Sequence, residues 1–191
     1  MIETLHQPHR RIHSMGTWNS RGLRGSFLEE LLNMTIEKYH AERLALIQKV
    51  PTPITPMKID KETKHITLAY VDQKSTVDYI GVVQGIPVCF DAKECKTDSF
   101  PLANIHEHQY AFMRDFEAQD GIAFLIIYFK ERDCFYYLRF RELKKFWERM
   151  ESGGSKHFKY TELDPSYEIS GYSGTFVHFL EQLQMDLDSR E

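Results

Sequence analysis

The sequence predicts a single-domain α/β fold, and three observations carry that reading. Residues 75–93 read Ser-Thr-Val-Asp-Tyr-Ile-Gly-Val-Val-Gln-Gly-Ile-Pro-Val-Cys-Phe-Asp-Ala-Lys, two β-rich runs about the turn candidate Gln84-Gly85. Ile122 to Phe129 is an unbroken apolar run, the pattern of a strand buried on both faces. Between and around these, apolar residues recur at helical spacing. With 191 residues, 42% of them hydrophobic and 27% charged, the chain can bury a full core.

The elements follow in order. Residues 1–25 lack periodicity and are expected to form a flexible arm, with Gly22 and Gly25 as breakers. Arg10, Arg11, Arg21 and Arg24 make this arm locally basic although the whole chain carries −4, whereas the far end is acidic with Asp186, Asp188 and Glu191. His6, His9 and His13 suit a metal by residue type, but a mobile tail is the simpler reading. From Ser26 onward, Phe27, Leu28, Leu31, Leu32, Thr35, Ile36 and Tyr39 mark a helix with Ser26 as N-cap and Glu29 at the third position; it is expected to reach Gln48. The run Val-Pro-Thr-Pro-Ile-Thr-Pro at 50–56 stops it. Residues 57–75 read as a second hairpin outside the core, with a polar tip from Asp60 to His65 that carries Lys61 and Lys64. Beyond the central hairpin, Thr97 to Ala103 reads as a loop, and Asn104 to Ala118 as a helix with Ile105, Gln109, Phe112 and Phe116 on one stripe. Gln109 is thus a polar group on an inward face and requires a partner, either backbone or a neighbouring polar site. Asp120-Gly121 turns into the apolar strand, Cys134 to Phe140 is its neighbour, and Leu143, Phe146, Trp147 and Met150 mark a further helix. Ser152 to Ser155 is a break, and Phe176, Phe179, Leu180, Leu183 and Leu187 mark the last helix.

The central hairpin carries the chemistry. Centred on Gln84-Gly85, its register places Asp78 opposite Asp91 and Thr76 opposite Lys93, all on one face. Val77, Tyr79, Val83, Val88, Phe90 and Ala92 line the other, apolar face. Opposed carboxylates repel, so the pairing makes sense when a cation stands between them. Mg²⁺ or Mn²⁺ suits oxygen donors, and Lys93 lies roughly 6–7 Å along the same face, within reach of a bound phosphate or water. A solvated surface hairpin would contain the same Asp-x-Lys, and both readings stand on the residues alone.

Composition narrows the class. Cys89, Cys95 and Cys134 are odd in number and lack Cys-x-x-Cys spacing, which disfavours a disulfide framework or a structural zinc site. No segment has the length of a membrane helix and the polar start lacks a secretory apolar region, so the expectation is a soluble intracellular protein.

Several ordered motifs resemble one family. They are Arg24-Gly25-x-x-Leu28-Glu29-x-x-Leu32-Asn33, Lys49-x-Pro51-Thr52-Pro53, Ser75-Thr76-x-Asp78-Tyr79-x-Gly81 and Phe90-x-Ala92-Lys93-Glu94. Ser99-Phe100-Pro101-Leu102, Asn104-x-His106-x-His108-Gln109, Ala118-Gln119-Asp120-Gly121-Ile122 and Phe146-Trp147 continue the series. From about residue 20 to the C-terminus the chain is similar to RecU-type Holliday junction resolvases of the PD-(D/E)xK nuclease superfamily. The resemblance implies a restriction-endonuclease-like core, a central mixed sheet flanked by helices, within residues 26–191, and a hairpin stalk at about 54–74 that projects between the arms of the junction. It implies that Thr76, Asp78, Asp91 and Gln109 surround Mg²⁺ or Mn²⁺, that Lys93 orients or activates the attacking water, and that Glu29 supports the site. The basic arm and the stalk lysines point to phosphate contacts by Arg10, Arg11, Arg21, Arg24, Lys58, Lys61 and Lys64, of which Arg24 also sits in a matched motif. The resemblance implies a homodimer that nicks four-way DNA junctions symmetrically, an interaction with the RecA recombinase, and a cytoplasmic, nucleoid-associated setting. Asp91 departs from the pattern, since close relatives usually carry Glu there. Two other readings stay open: a junction-binding or RecA-modulating protein with weak or lost cleavage through that change, and a duplex-cutting nuclease of the same superfamily.

Overall fold

The computed structural model describes residues 26–71, 76–170 and 177–190. Its centre is a six-stranded mixed sheet in the order β1 (Ala45–Lys49), β4 (Tyr79–Val83), β5 (Ile86–Cys95), β7 (Ile122–Phe129), β8 (Cys134–Arg139) and β10 (Glu168–Ile169). All neighbouring pairs are antiparallel except β5 with β7. That parallel pair needs a crossover, and α2 (Glu107–Glu117) supplies it. The apolar run at 122–129 is therefore an interior strand, buried on both faces as its composition requires.

The hairpin register matches the sequence expectation. Tyr79 pairs with Phe90 and Val83 with Ile86, around Gln84 (φ 47°) and Gly85 (φ 93°). Two successive left-handed residues give the primed turn that matches strand twist, and glycine takes the second position without a Cβ penalty. One face of the sheet stacks Tyr79 on Phe90, Phe90 on Phe124 and Phe124 on Tyr137. Helix α1 (Phe27–Ala41) covers this face through Tyr79 Oη donating to Asn33 Oδ1, and Phe179, just before α4 (Leu180–Asp188), packs on Tyr39, Phe90 and Phe124. Helix α2 lies on the opposite face and stacks Tyr110 on Trp147 of α3 (Phe140–Glu151).

Three expectations need correction. Helix α1 ends at Ala41 rather than Gln48: Arg43 takes a left-handed φ of 59°, and the chain returns as β1, paired antiparallel with β4. Leu44 and Ile47 continue the helical spacing of Ile36 and Tyr39, and no Gly or Pro interrupts before Pro51, so nothing local marks a stop. The loop expected at 97–103 contains β6 (Ser99–Pro101), paired with β9 (His157–Lys159) through stacked Phe100 and Phe158. Asp186, part of the acidic terminus by sequence, is fully buried, where it binds Arg141, Arg190 and the Tyr137 hydroxyl.

Strands β2 (Ile54–Ile59) and β3 (Ile66–Val71) pair as a separate two-stranded ribbon with register shifts about Lys58. Its tip is tied by Asp60, whose Oδ1 accepts from the Glu62 and Thr63 amides. The arm expected over residues 1–25 lies outside the described residues.

Candidate active site

The β4–β5 ladder stops at Tyr79 and Phe90, and the site begins one residue further on. There the main-chain N–H groups are taken by carboxylates instead of strand carbonyls. Asp78 N–H donates to Asp91 Oδ1 at 2.8 Å, and Ala92 N–H donates to Asp78 Oδ2 at 2.9 Å. The strands are thus stapled by the two acids themselves, which fixes both carboxylates without relying on flexible side chains.

Asp91 sits on β5 against the central strand, opposite Leu125, and is completely buried. A buried carboxylate needs several donors, and it has them. Gln109 Nε2 of α2 donates to Asp91 Oδ2 at 2.6 Å, and Lys93 Nζ lies 2.7 Å from the same oxygen. The other end of the Gln109 amide accepts from the His106 N–H at 3.1 Å and from Lys93 Nζ at 3.4 Å. Gln109 is thereby both the N-terminal brace of α2 and a ligand of the square, so the two partners open to it from sequence are both present. Lys93 is 17% exposed and reaches solvent from this buried network.

Electrostatics favour a cation here. Burial, then the adjacent Asp91 charge, push the Asp78 carboxyl up to about 6, against the lowering effect of the Ala92 N–H and Lys93. Two acids face one lysine. A divalent ion would relieve that imbalance, and the available donors are hard oxygens suited to Mg²⁺ or Mn²⁺ with water completing the shell. Among the described residues no group of three or more His, Cys, Asp or Glu gathers that could hold a metal ion.

The remaining sequence candidates are placed as follows. Thr76 is exposed beside Asp78 and makes no hydrogen bond to the square among the described residues. Glu29 lies on α1; its carboxylate pairs with Lys49 Nζ at 2.5 Å and makes no hydrogen bond or ion pair with Asp78, Asp91 or Lys93 among the described residues. Sequence alone does not single out Lys49, because it falls at the expected end of a helix. In the structure it pairs with Tyr79 across the β1–β4 ladder while Val50 N–H donates to the Asp78 carbonyl, so the Glu29–Lys49 pair braces the strand that carries Asp78. Its place in Lys49-x-Pro51 is the available signal. Lys58, Lys61 and Lys64 are exposed on the ribbon, and Arg10, Arg11, Arg21 and Arg24 lie outside the described residues.

The family model for Recombination protein U matches residues 23–185, a span that contains the whole square. The chain belongs to the RecU family. A Holliday junction resolvase RecU of Listeria welshimeri is 39% identical over 168 residues, covering 85% of this chain and 84% of that protein. The Holliday junction resolvase RecU of Listeria innocua is 42% identical over 167 residues (85% and 83%), and that of Bacillus mycoides 39% over 162 residues (83% and 80%). The mixed sheet with flanking helices is consistent with the nuclease-like core expected of a RecU protein. No described helix of this RecU-family chain is long and apolar enough to cross a membrane.

Proposed function

We propose that this RecU-family chain resolves four-way DNA junctions in recombination and repair, as a structure-selective endonuclease that depends on Mg²⁺ or Mn²⁺ and nicks symmetrically as a homodimer. The observation that carries the reading is the half-buried Asp78 bonded to the fully buried Asp91, which Gln109 and Lys93 hold, in a chain whose relatives are named Holliday junction resolvases. Asp78 and Asp91 would hold the ion, with Gln109 fixing the Asp91 oxygen and Thr76 completing the exposed side. When bound, the ion supplies charge neutralisation at the scissile phosphate and a lowered pKa for water.

The chain's own groups do the rest. Lys93, anchored on Asp91 and open to solvent, places a cation where negative charge builds during in-line attack. Glu29 acts at one remove by holding Lys49 beside the Asp78 strand. Arg10, Arg11, Arg21, Arg24, Lys58, Lys61 and Lys64 contact phosphates, giving affinity with little base readout. A partnership with the RecA recombinase and a place on the nucleoid in the cytoplasm belong to the same reading.

The test compares a four-way junction, linear duplex and single strand, with and without Mg²⁺. Junction-selective cutting that requires the ion is expected, and Asp78→Asn or Lys93→Ala should reduce cutting by about 10²-fold or more while junction binding survives. Near wild-type cleavage by either variant would take the square out of the mechanism. Junction binding with no cleavage under any metal would leave a junction-binding protein.

A further inference from the structure

We infer that Lys93 is a displaceable stand-in for the divalent ion: it rests on Asp91 Oδ2, yields that oxygen when the ion binds, and is thereby released to the substrate phosphate. This rests on the metal-dependent reading above and adds an order of events to it. Both oxygens of Asp91 are engaged by the protein itself. Oδ1 accepts from Asp78 N–H at 2.8 Å, and Oδ2 meets Gln109 Nε2 at 2.6 Å and Lys93 Nζ at 2.7 Å. The carboxylate is completely buried beneath these donors, so an ion arriving from solvent reaches it by taking the place of one of them.

The geometry selects which donor yields. The Asp78 amide is main chain, fixed where β4 begins its pairing with β5. Gln109 is 6% exposed, and the other end of its amide accepts from His106 N–H at 3.1 Å, so the side chain is held at both ends. Lys93 differs. Its ammonium ends a flexible four-carbon stem, 17% of the side chain is exposed, and its contact with Gln109 Oε1 is a long 3.4 Å. Residues 91 and 93 stand about 6–7 Å apart on one face of the strand, so the stem folds back to reach Asp91 and only has to extend to leave it.

Charge gives the direction of the change. In the arrangement of the structure, two carboxylates share one lysine; a divalent ion added beside it would set three positive charges against two negative ones around a single buried oxygen. Repulsion at that distance drives out the cation that can move. A phosphodiester brings one further negative charge, so Lys93 released from Asp91 is drawn to it and the charges balance. Lys93 therefore serves the substrate only after the ion is in place.

Lysine acetylation of the full wild-type chain by an N-hydroxysuccinimide ester, with and without saturating Mg²⁺ and read by peptide mass spectrometry, follows the amine directly. An ammonium held on a buried carboxylate reacts slowly, so the rate at Lys93 should rise about fivefold or more with Mg²⁺. Lys49, paired with Glu29, and Lys61 on the ribbon should keep their rates. Calorimetric titration with Mn²⁺ gives a second readout, with far-UV circular dichroism as the control for folding. Lys93→Met removes the competing cation and should lower the Mn²⁺ dissociation constant about tenfold, whereas Lys93→Arg keeps a cation on Asp91 and should bind no more tightly than wild type. Should Lys93→Met not fold, the labelling of wild type decides alone. Unchanged or weaker Mn²⁺ binding by folded Lys93→Met, or a Lys93 rate that a bound ion leaves unchanged, overturns the displacement while the metal site stands. A wild type that binds neither ion at millimolar concentration ends both readings.

Discussion

Asp78 shows at the scale of one residue how a site is made at the expense of stability. Its carboxyl is pushed from an ordinary value of 3.8 to about 6 by burial and by Asp91. The folded state therefore binds its proton more tightly than the unfolded state does, and stability falls as pH rises between those two values. Below about pH 4 the penalty is absent, and above about pH 6 it is complete. In metal-free protein Asp78→Asn should accordingly raise stability by about 2 kcal/mol at about pH 7–8 and by little at about pH 4. The amide oxygen can still accept from Ala92, and the amide nitrogen can donate to Asp91 in place of the repulsion. Thermal melts with and without Mn²⁺ check this; wild type is expected to gain melting temperature with the ion, and the variant should not. A lower metal-free melting temperature at alkaline pH would show that the carboxylate, not its neutral form, is the stabilising species.

At the scale of elements, the two hairpins serve different ends. In the core hairpin, a Cβ at Gly81 would come 2.2 Å from the Leu46 carbonyl oxygen and 2.6 Å from the Ile47 Cα. Glycine is therefore required for β1 to approach β4, and Gly81→Ala should cost about 2–4 kcal/mol by forcing the strands apart. A denaturant midpoint unchanged from wild type would contradict the pairing. The stalk hairpin is expected to act through charge. Lys61→Ala with Lys64→Ala should weaken junction binding much more than duplex binding, because the junction centre gathers phosphates that linear DNA keeps apart. The slope of log affinity against log salt should fall by about one for each phosphate that a lysine no longer neutralises, with metal binding untouched. Equal weakening on both DNAs would make the ribbon a general electrostatic contact. Elements were legible where their pattern was self-contained: the register of the core hairpin followed from turn chemistry and alternation alone. Strand β1 was not, because Leu44 and Ile47 keep a helical spacing and only pairing with β4 makes this segment a strand.

Across the whole molecule, the last helix is locked by charge as well as by packing. The carboxylate of Asp186 meets Arg141 Nη2 at 2.5 Å, Arg190 Nη2 at 3.2 Å and the Tyr137 hydroxyl at 3.2 Å, while Arg190 also pairs with Glu117 of α2. Four elements meet there. Asp186→Ala leaves two guanidinium groups without their shared anion at a buried position and should cost about 3–5 kcal/mol, read as a lower melting temperature. An unchanged melt would mean that packing of Leu183 and Phe179 holds the helix alone. By itself the sequence determined the α/β class, the core hairpin and its register, the two opposed aspartates with Lys93, and an inward Gln109, because turn preferences and side-chain periodicity act over a few residues. The tertiary structure alone decided that Gln109 binds Asp91, that Glu29 pairs with Lys49 beside the Asp78 strand, and that a terminal aspartate is buried. Those facts depend on which distant segments meet, and burial, dielectric and ion pairing take their values only once they do.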